Sequence, residues 1–283
     1  MSRRHFTFTC EGSLLAGTLD EGEAATGLMI VSGGQELRAG AWSGQAQLAA
    51  RIARADYPVL RFDRRGVGDS GGPNGDFRSS APDIAAALAA FRTHCPQLAQ
   101  VVGMGNCDAA SALMLAGGAG CDALILSNPW TIEDEAAAPP PQALRQHYRH
   151  RLADPAALRR LLTGQVSPRK LFASLMGAIS PAPPRTGLVA DMAAGIAGFQ
   201  GEAVFLLAER DRTAQAFLAH WESRETPLHS CTGASHSFVE PPAQQWLIDQ
   251  VLAMMAGISE RRSDPDFLPT TDIRHAGPRL LHG

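Results

Sequence analysis

The stretch VVGMGNCDAASAL, residues 101–113, decides the fold. An apolar run ends at Cys107 and continues into an Ala/Leu pattern typical of a helix. In a nucleophile elbow, the nucleophile occupies a tight strand-to-helix turn, so the residues two positions away on either side must be small. Gly105 and Ala109 satisfy that requirement. The pattern predicts that Cys107 lies at a helix N-terminus, where unpaired N–H groups and the dipole favour negative charge. The alternative is a buried cysteine that packs as a small hydrophobe.

Apolar runs alternate with helical patterns on both sides of this stretch. Besides the elbow strand, strands are predicted over residues 6–9, 13–18, 27–31, 57–62, 123–127, 203–208 and 227–230, and helices over 45–55, 83–91 and 243–255. Near-continuous apolar strands that alternate with helices indicate a mostly parallel sheet with helices on both faces. The fold class is therefore α/β.

The alternation stops in the middle of the chain. We expect a core formed by residues 1–130 and 201–258, with a helical cap inserted over 131–200. Two proline stretches, Pro139–Pro141 and Pro181–Pro184, bracket the helical patterns of that insertion. Long insertions of this kind are often lids, and an additional helical layer away from the site is the alternative. Residues 259–283 form a polar C-terminal tail.

The predicted cap carries a strong local charge. Residues 142–170 contain seven arginines and lysines and a single acid, whereas the whole chain has a formal net charge of −3. Such a field could attract an anionic substrate, for example a coenzyme A or carrier-protein thioester. The alternative is a solvated helix face with no binding role.

Composition excludes several classes of function. A net charge of −3 offers no basic field for nucleic acid, and no apolar run is long enough to span a bilayer. The first residues lack the apolar stretch of a signal peptide, so we expect a cytoplasmic protein. The five cysteines are scattered without a CxxC pair, which argues against disulfides and zinc. No metal or cofactor is expected, and the oligomeric state is left open.

A nucleophile needs a base, and the base needs a group that orients it. Asp211 follows the strand predicted over 203–208 and opens a helical pattern, so it is the candidate acid. His236 lies in the small-residue loop GASHS before the last helix and is the candidate base. Alone, Asp211 would be interpreted as a helix N-cap and His236 as a surface residue. The order Cys107, Asp211, His236 is the order of nucleophile, acid and histidine in α/β hydrolases.

The oxyanion hole should come from two backbone amides. One is the N–H of Asp108, directly after the nucleophile, and the other is the N–H of Gln35, which follows Gly33–Gly34. The same glycines would also suit an ordinary turn. Asp108 introduces a conflict, because its carboxylate disfavours a neighbouring thiolate, whereas the helix end and a protonated His236 favour one. Asp108 would otherwise be interpreted as a favourable acid in the first helical turn.

Four motifs together resemble a known bacterial family. DRRGVGDS at 63–70 is similar to the DxRGxGxS turn of α/β hydrolases, where it is structural and its arginine braces loops. With Gly33–Gln35, 107–112 and 233–236, it resembles the exosortase A system-associated hydrolase type 1 family over residues 5–257. This resemblance implies one α/β-hydrolase domain with a cap, in a setting of exopolysaccharide export and surface-protein sorting. In this chain Cys107 stands where most α/β hydrolases have a serine, and Ala109 stands where they have the second glycine of the elbow. Dienelactone hydrolases are similar in using a cysteine nucleophile.

The sequence favours hydrolysis of an ester or thioester through an acyl-enzyme. Cys107 would attack the carbonyl carbon, His236 would move the proton, and Asp211 would hold the imidazole. Two alternatives stay open at this stage. One is transfer of the acyl group to an alcohol or amine, and the other is a non-catalytic binding or scaffold protein on a hydrolase fold.

Overall fold

One eight-stranded sheet organises the chain, and the computed structural model describes residues 2–133, 187–221 and 225–263 of it. The strands are β1 (Arg3–Cys10), β2 (Ser13–Asp20), β3 (Thr26–Val31), β4 (Val59–Phe62), β5 (Gln100–Asn106), β6 (Ala123–Ser127), β7 (Glu202–Ala208) and β8 (Leu228–Cys231). The helices are α1 (Gly44–Arg54), α2 (Ala81–His94), α3 (Asp108–Leu115), α4 (Gly187–Ala197), α5 (Arg212–His220) and α6 (Pro241–Ser263).

The strand order across the sheet is β1-β2-β4-β3-β5-β6-β7-β8. β1 and β2 form an antiparallel hairpin, and β2 also pairs antiparallel with β4. Every other pairing is parallel. The expected mostly parallel sheet is confirmed, and the strands predicted over 6–9 and 13–18 form its antiparallel hairpin.

Helices cover both faces of the sheet. On one face, α1 and α6 pack on the side chains of β3, β5, β6 and β7 that point towards them, in a cluster that includes Ile30, Ile52, Met104, Ile125 and Met255. On the other face, α2, α3, α4 and α5 enclose a second cluster. Because both faces are covered, the central strands are apolar along their whole length, and β3, β4 and β6 are fully buried.

The strand register brings five loops to one edge of the sheet. Val31 pairs with Gly105, Ser127 pairs with both Asn106 and Leu206, and Ala208 pairs with Cys231. The loops that follow β3, β5, β6, β7 and β8 therefore begin at similar heights. Open parallel sheets bind ligands at this carboxyl edge.

Two differences from the sequence prediction concern the helical parts. The cap predicted over 131–200 lies mostly outside the described residues, and its described end contains α4, which buries Leu188, Val189 and Met192 against the core. Helix α6 continues to Ser263, beyond the predicted end at 255, because Ile258 is still buried and Ser259 hydrogen-bonds Thr26 Oγ1 at 2.9 Å. Across the described ranges, none of the helices combines the length and hydropathy needed to cross a membrane.

Candidate active site

Cys107 occupies a sharp turn between β5 and α3. Its backbone adopts φ 61° and ψ −128°, a conformation that non-glycine residues rarely adopt. The turn is held because the Cys107 N–H donates to the carbonyl of Ser127 at 3.0 Å, while its own carbonyl accepts from the N–H of Ala110 at 3.1 Å. A Cβ at Gly105 would lie 2.6 Å from the backbone of Ala109, so no side chain fits there. The strain and the close approach are those expected of a nucleophile elbow.

Cys107 differs from the other four cysteines in its exposure. It is partly exposed, whereas Cys10, Cys95, Cys121 and Cys231 are buried. Burial raises the pKa of Cys95 to about 11 and that of Cys121 to about 12, and a hydrogen bond to Asp83 adds to the effect of burial on Cys10. Buried thiols of this kind are inert. Cys107 is thus the cysteine that a substrate can reach.

Asp211 fulfils both of the roles considered for it. Its side chain caps α5, accepting from the N–H of Thr213 at 3.2 Å and from that of Ala214 at 3.1 Å. The same carboxylate lies 2.9 Å from Nδ1 of His236. Asp211 is 7% exposed, and the cap bonds fix the orientation in which it faces the imidazole. The carboxylate that begins a helix is therefore also the partner of the histidine.

His236 joins the carboxylate to the thiol. The Asp211 carboxylate first, and the Cys107 sulfur next, raise the pKa of His236 to about 10, against the opposing effect of burial. The imidazole is accordingly protonated at neutral pH. The structure thus brings together the three residues that are 104 and 25 positions apart in the sequence, Cys107, Asp211 and His236.

Two asparagines that the sequence analysis missed hold the histidine loop. The carbonyl oxygen of His236 accepts from Nδ2 of Asn106 at 3.3 Å and from Nδ2 of Asn128 at 3.1 Å. The two side chains are joined, since Asn128 Nδ2 also donates to Asn106 Oδ1 at 2.9 Å. Asn128 Oδ1 in turn accepts from the N–H of Ala208. Each asparagine stands at or just after the carboxyl end of a strand, which is the signal that could have identified it.

The loop after β3 packs directly on the elbow. A Cβ at Gly33 would meet Asp108 Oδ1 at 2.7 Å and the carbonyl of Asn106 at 2.9 Å, so glycine is required there. The N–H of Gly34 donates to Asp108 Oδ1 at 2.7 Å. Gln35, the predicted oxyanion donor, is the next residue and is exposed. The amide of Gly34 is therefore already bound by a carboxylate.

The charge of Asp108 is compensated by Arg64, a third residue that the sequence analysis did not connect to the site. Arg64 is 5% exposed and its Nη2 lies 3.1 Å from Asp108 Oδ2. It also donates to the carbonyl of Gly34 at 2.8 Å and to Oγ of Ser80 at 2.9 Å. Arg65, the next residue, pairs with Asp83 and Glu11 instead. The turn at 63–70 braces loops, as its resemblance implied.

A mainly parallel sheet, led by an antiparallel hairpin and carrying a strained elbow on its fifth strand, is the architecture of an α/β hydrolase. The chain belongs to the alpha/beta hydrolase family, since the model of that family matches residues 28–249. No curated protein matches the chain.

Solved structures show the same fold. An esterase from Pyrococcus furiosus is 14% identical with a TM-score of 0.58, covering 90% of each chain. An α/β hydrolase from a Penicillium species is 17% identical with a TM-score of 0.59, covering 92% of this chain and 99% of that one. Est1E from Butyrivibrio proteoclasticus, solved with ferulic acid, is 13% identical with a TM-score of 0.57, covering 89% and 98%. At these identities the likeness concerns the fold alone.

Proposed function

We propose that this protein hydrolyses an ester or thioester through an acyl-enzyme on Cys107. The observation that carries the proposal is the pairing of His236 with Asp211, in which Nδ1 of the imidazole lies 2.9 Å from the carboxylate, on a histidine whose pKa Cys107 also raises. Nucleophile, base and orienting acid in this relation are the requirement for covalent catalysis. The esterase from Pyrococcus furiosus, which has this fold, supports the same class of reaction.

The reaction proceeds in two balanced steps. Cys107 attacks the carbonyl carbon as a thiolate, its proton having passed to His236; the bond to the leaving group breaks, and His236 gives that proton to the departing alkoxide or thiolate. Neutral His236 then takes a proton from water, the resulting hydroxide attacks the thioester, and the carbon–sulfur bond breaks to release the acid. Asp211 holds the imidazole and stabilises its cation in both steps.

The developing oxyanion requires backbone donors. The N–H groups of Asp108 and Gln35 are proposed for this role, each contributing on the order of 10²–10³ in turnover. The Asp108 side chain already binds the neighbouring amide of Gly34, and this bond ties the two donor-bearing loops together. No metal or cofactor takes part in the proposed chemistry.

The proposal extends to the substrate and its setting. The seven basic residues of 142–170 favour an anionic leaving group, such as a coenzyme A or carrier-protein thioester. That segment lies outside the described residues, as does most of the predicted cap. A cytoplasmic location and membership of the exosortase A system-associated hydrolases are part of the same proposal. They predict that the gene neighbours serve exopolysaccharide export, which genome comparison checks.

Mass spectrometry tests the acyl-enzyme directly. Wild type and Cys107→Ala are mixed with an activated acetyl ester and quenched in acid during turnover. We expect one acetyl group on the peptide that contains Cys107 in the wild type, and neither adduct nor hydrolysis in the variant. Cys95→Ala, which removes a buried thiol instead, is the matched control and should keep the adduct. Hydrolysis by Cys107→Ala at the wild-type rate would end the proposal.

A panel of leaving groups tests the electrostatic part separately. Coenzyme A thioesters and neutral thioesters with the same acyl group are compared at low and high salt. An anionic preference that weakens with salt supports a role for the basic segment. Equal rates for the two leaving groups would remove that role and leave the cysteine mechanism intact.

A further inference from the structure

A cavity of about 350 Å³ adjoins the candidate active site on the side of α1 and α6. Its apolar walls come from β3, β5, α1, α6 and the histidine loop: Ile30, Leu48, Met104, Phe238, Leu247 and Ile248. This volume lies within the range of small-molecule pockets, which are mostly apolar with a few placed polar groups. The cavity therefore has the size and lining of a site for part of a substrate.

The cavity is connected to the catalytic residues through their chain neighbours. Asn106, directly before Cys107, and Ser237, directly after His236, both line it. Glu36 lines it as well, and the charge of His236 acts on its carboxyl group. Burial raises the pKa of Glu36, with His236 opposing that effect. Cys107 and His236 do not themselves line the cavity, so a chain attached to the Cys107 sulfur would enter it past Asn106 and Ser237.

One buried hydroxyl in the cavity has no partner. Ser127 ends β6, is 1% exposed, and lines the cavity beside Asn106, its neighbour in the strand register. Among the residues that the structure describes, nothing hydrogen-bonds its Oγ. Most buried polar side-chain atoms in proteins do have a partner, and leaving a hydroxyl without one is unfavourable. A hydroxyl can donate one hydrogen bond and accept others. The Ser127 Oγ is buried in the cavity wall, so an oxygen of the ligand would satisfy it only by displacing the atoms that cover it.

We propose that this cavity binds the acyl chain of the substrate and that Ser127 selects chains bearing an oxygen, such as hydroxyacyl or oxoacyl groups. The inference rests on the proposed function, because it assumes that the acyl group is attached to Cys107. The apolar residues bind the hydrocarbon portion, and the cavity is also lined by polar side chains: Glu36, Gln45, Gln47, Arg51 and Gln244. The unpaired Ser127 hydroxyl distinguishes a chain with one oxygen from an unsubstituted chain of equal length.

The selectivity is measured with paired thioesters. The kcat/KM of wild type is determined for hexanoyl thioesters with no substituent and with one hydroxyl or oxo group at successive carbons. We expect at least one position to be preferred by roughly tenfold, and Ser127→Ala to bring that ratio close to one. The role of Ser127 would be overturned if the wild type showed no preference at any position, which is the result expected when a buried water already satisfies the hydroxyl. It would also be overturned if the ratio of kcat/KM between substituted and unsubstituted thioesters were the same in Ser127→Ala as in the wild type.

The location of the chain is tested by filling the cavity. Leu247→Trp adds volume inside it, whereas Leu218→Trp makes the same change on the exposed side of α5, where the leucine is 44% exposed. We expect Leu247→Trp to lower the hexanoyl-to-acetyl ratio of kcat/KM at least tenfold and Leu218→Trp to leave it unchanged. Equal ratios in both folded variants would place the chain elsewhere. If Leu247→Trp does not fold, Ile248→Phe replaces it in the same comparison.

A binding measurement separates this inference from the proposed function. Absence of acetyl-Cys107 in wild type would refute the proposed hydrolysis whatever the cavity does. Calorimetry of Cys107→Ala with hexanoate and hydroxyhexanoates then tests the cavity without turnover. Saturable binding that is lost with Leu247→Trp supports the site, and an absence of binding at millimolar ligand refutes it.

Discussion

Replacement of Arg64 by methionine should destabilise the protein far more than loss of an average surface arginine. The Arg64 side chain is 6% exposed, and its partner Asp108 is 14% exposed. Methionine keeps much of the length of the side chain but removes three hydrogen bonds, to Asp108, Gly34 and Ser80. Asp108 would then carry an uncompensated charge in a largely buried position. Removal of one partner from a buried pair typically costs about 3–5 kcal/mol.

A double-mutant cycle isolates the contribution of the pair. Asp108→Asn keeps one acceptor for the Gly34 N–H but leaves the buried charge of Arg64 without its carboxylate, so it should also cost about 3–5 kcal/mol. Once Arg64 is methionine, the same Asp108→Asn change removes a charge without a partner. The double variant should therefore be at least as stable as Arg64→Met alone, which corresponds to a coupling energy of about 3 kcal/mol.

Urea denaturation of the four proteins measures the cycle, with the slope checked for constancy. Arg92→Met serves as the matched control, since Arg92 and Asp122 are 46% and 36% exposed and 3.5 Å apart. That change should cost at most about 1 kcal/mol. Alkylation of Cys107 by iodoacetamide at neutral pH should slow in Arg64→Met and recover in the double variant, because the Asp108 charge repels a thiolate. Costs that add to within about 0.5 kcal/mol would refute the pairing argument.

Three further results are expected. Asp211→Asn should lower the pKa of His236 from about 10 towards 6.5, because the hydrogen bond to the carboxylate is the first cause of the increase, and histidine NMR titration measures it. The raised pKa of His236 stabilises the folded protein fully below pH 6.5 and progressively less as the pH approaches 10. The free energy of unfolding of the wild type should therefore fall more steeply between pH 6.5 and 10 than that of Asp211→Asn. Parallel curves of unfolding free energy against pH would contradict this. Gln35→Pro, which deletes the proposed oxyanion N–H, should lower kcat on the order of 10²–10³, while Gln35→Ala keeps the N–H and the rate; equal rates in folded proteins would exclude that amide. Gly105→Ala should destabilise the protein by about 1–3 kcal/mol or more, because its Cβ would lie 2.6 Å from the backbone of the next helix. Gly44→Ala is the control, since Gly44 has open space around it and the change should be neutral or stabilising. Equal melting temperatures of the two variants in thermal denaturation would refute the steric argument.

Most of the sheet could be predicted because both of its faces are covered. The buried strands contain near-continuous apolar runs, such as residues 27–31 and 123–127, and these are visible without a partner sequence. The elbow was identifiable for a steric reason, since Gly105 lies where no Cβ fits. The chain order of nucleophile, acid and base then indicated which aspartate and which histidine to place beside Cys107, and the structure brings those three together.

The connections around these residues could not be predicted. Arg64 and Asp108 are 44 positions apart, and either residue alone has an ordinary interpretation, in a structural turn or in a first helical turn. Asn106 and Asn128 become recognisable only when the register of neighbouring strands is known. The end of α6 was placed too early because Ser259 is polar, and its contact with Thr26 is 233 positions distant. The sequence pattern thus does not indicate which side chains of distant segments pair with one another.

The asparagines that hold the carbonyl of His236 also bear on biosynthesis. Their hydrogen bonds connect segments 130 and 108 positions apart, so neither can form until His236 has left the ribosome. Contacts this distant in sequence form slowly. A nascent chain with its elbow already folded would present a thiol without its imidazole. The proposed acyl chemistry should therefore begin only after His236 has emerged, and translation products truncated before His236 should be inert towards acyl donors.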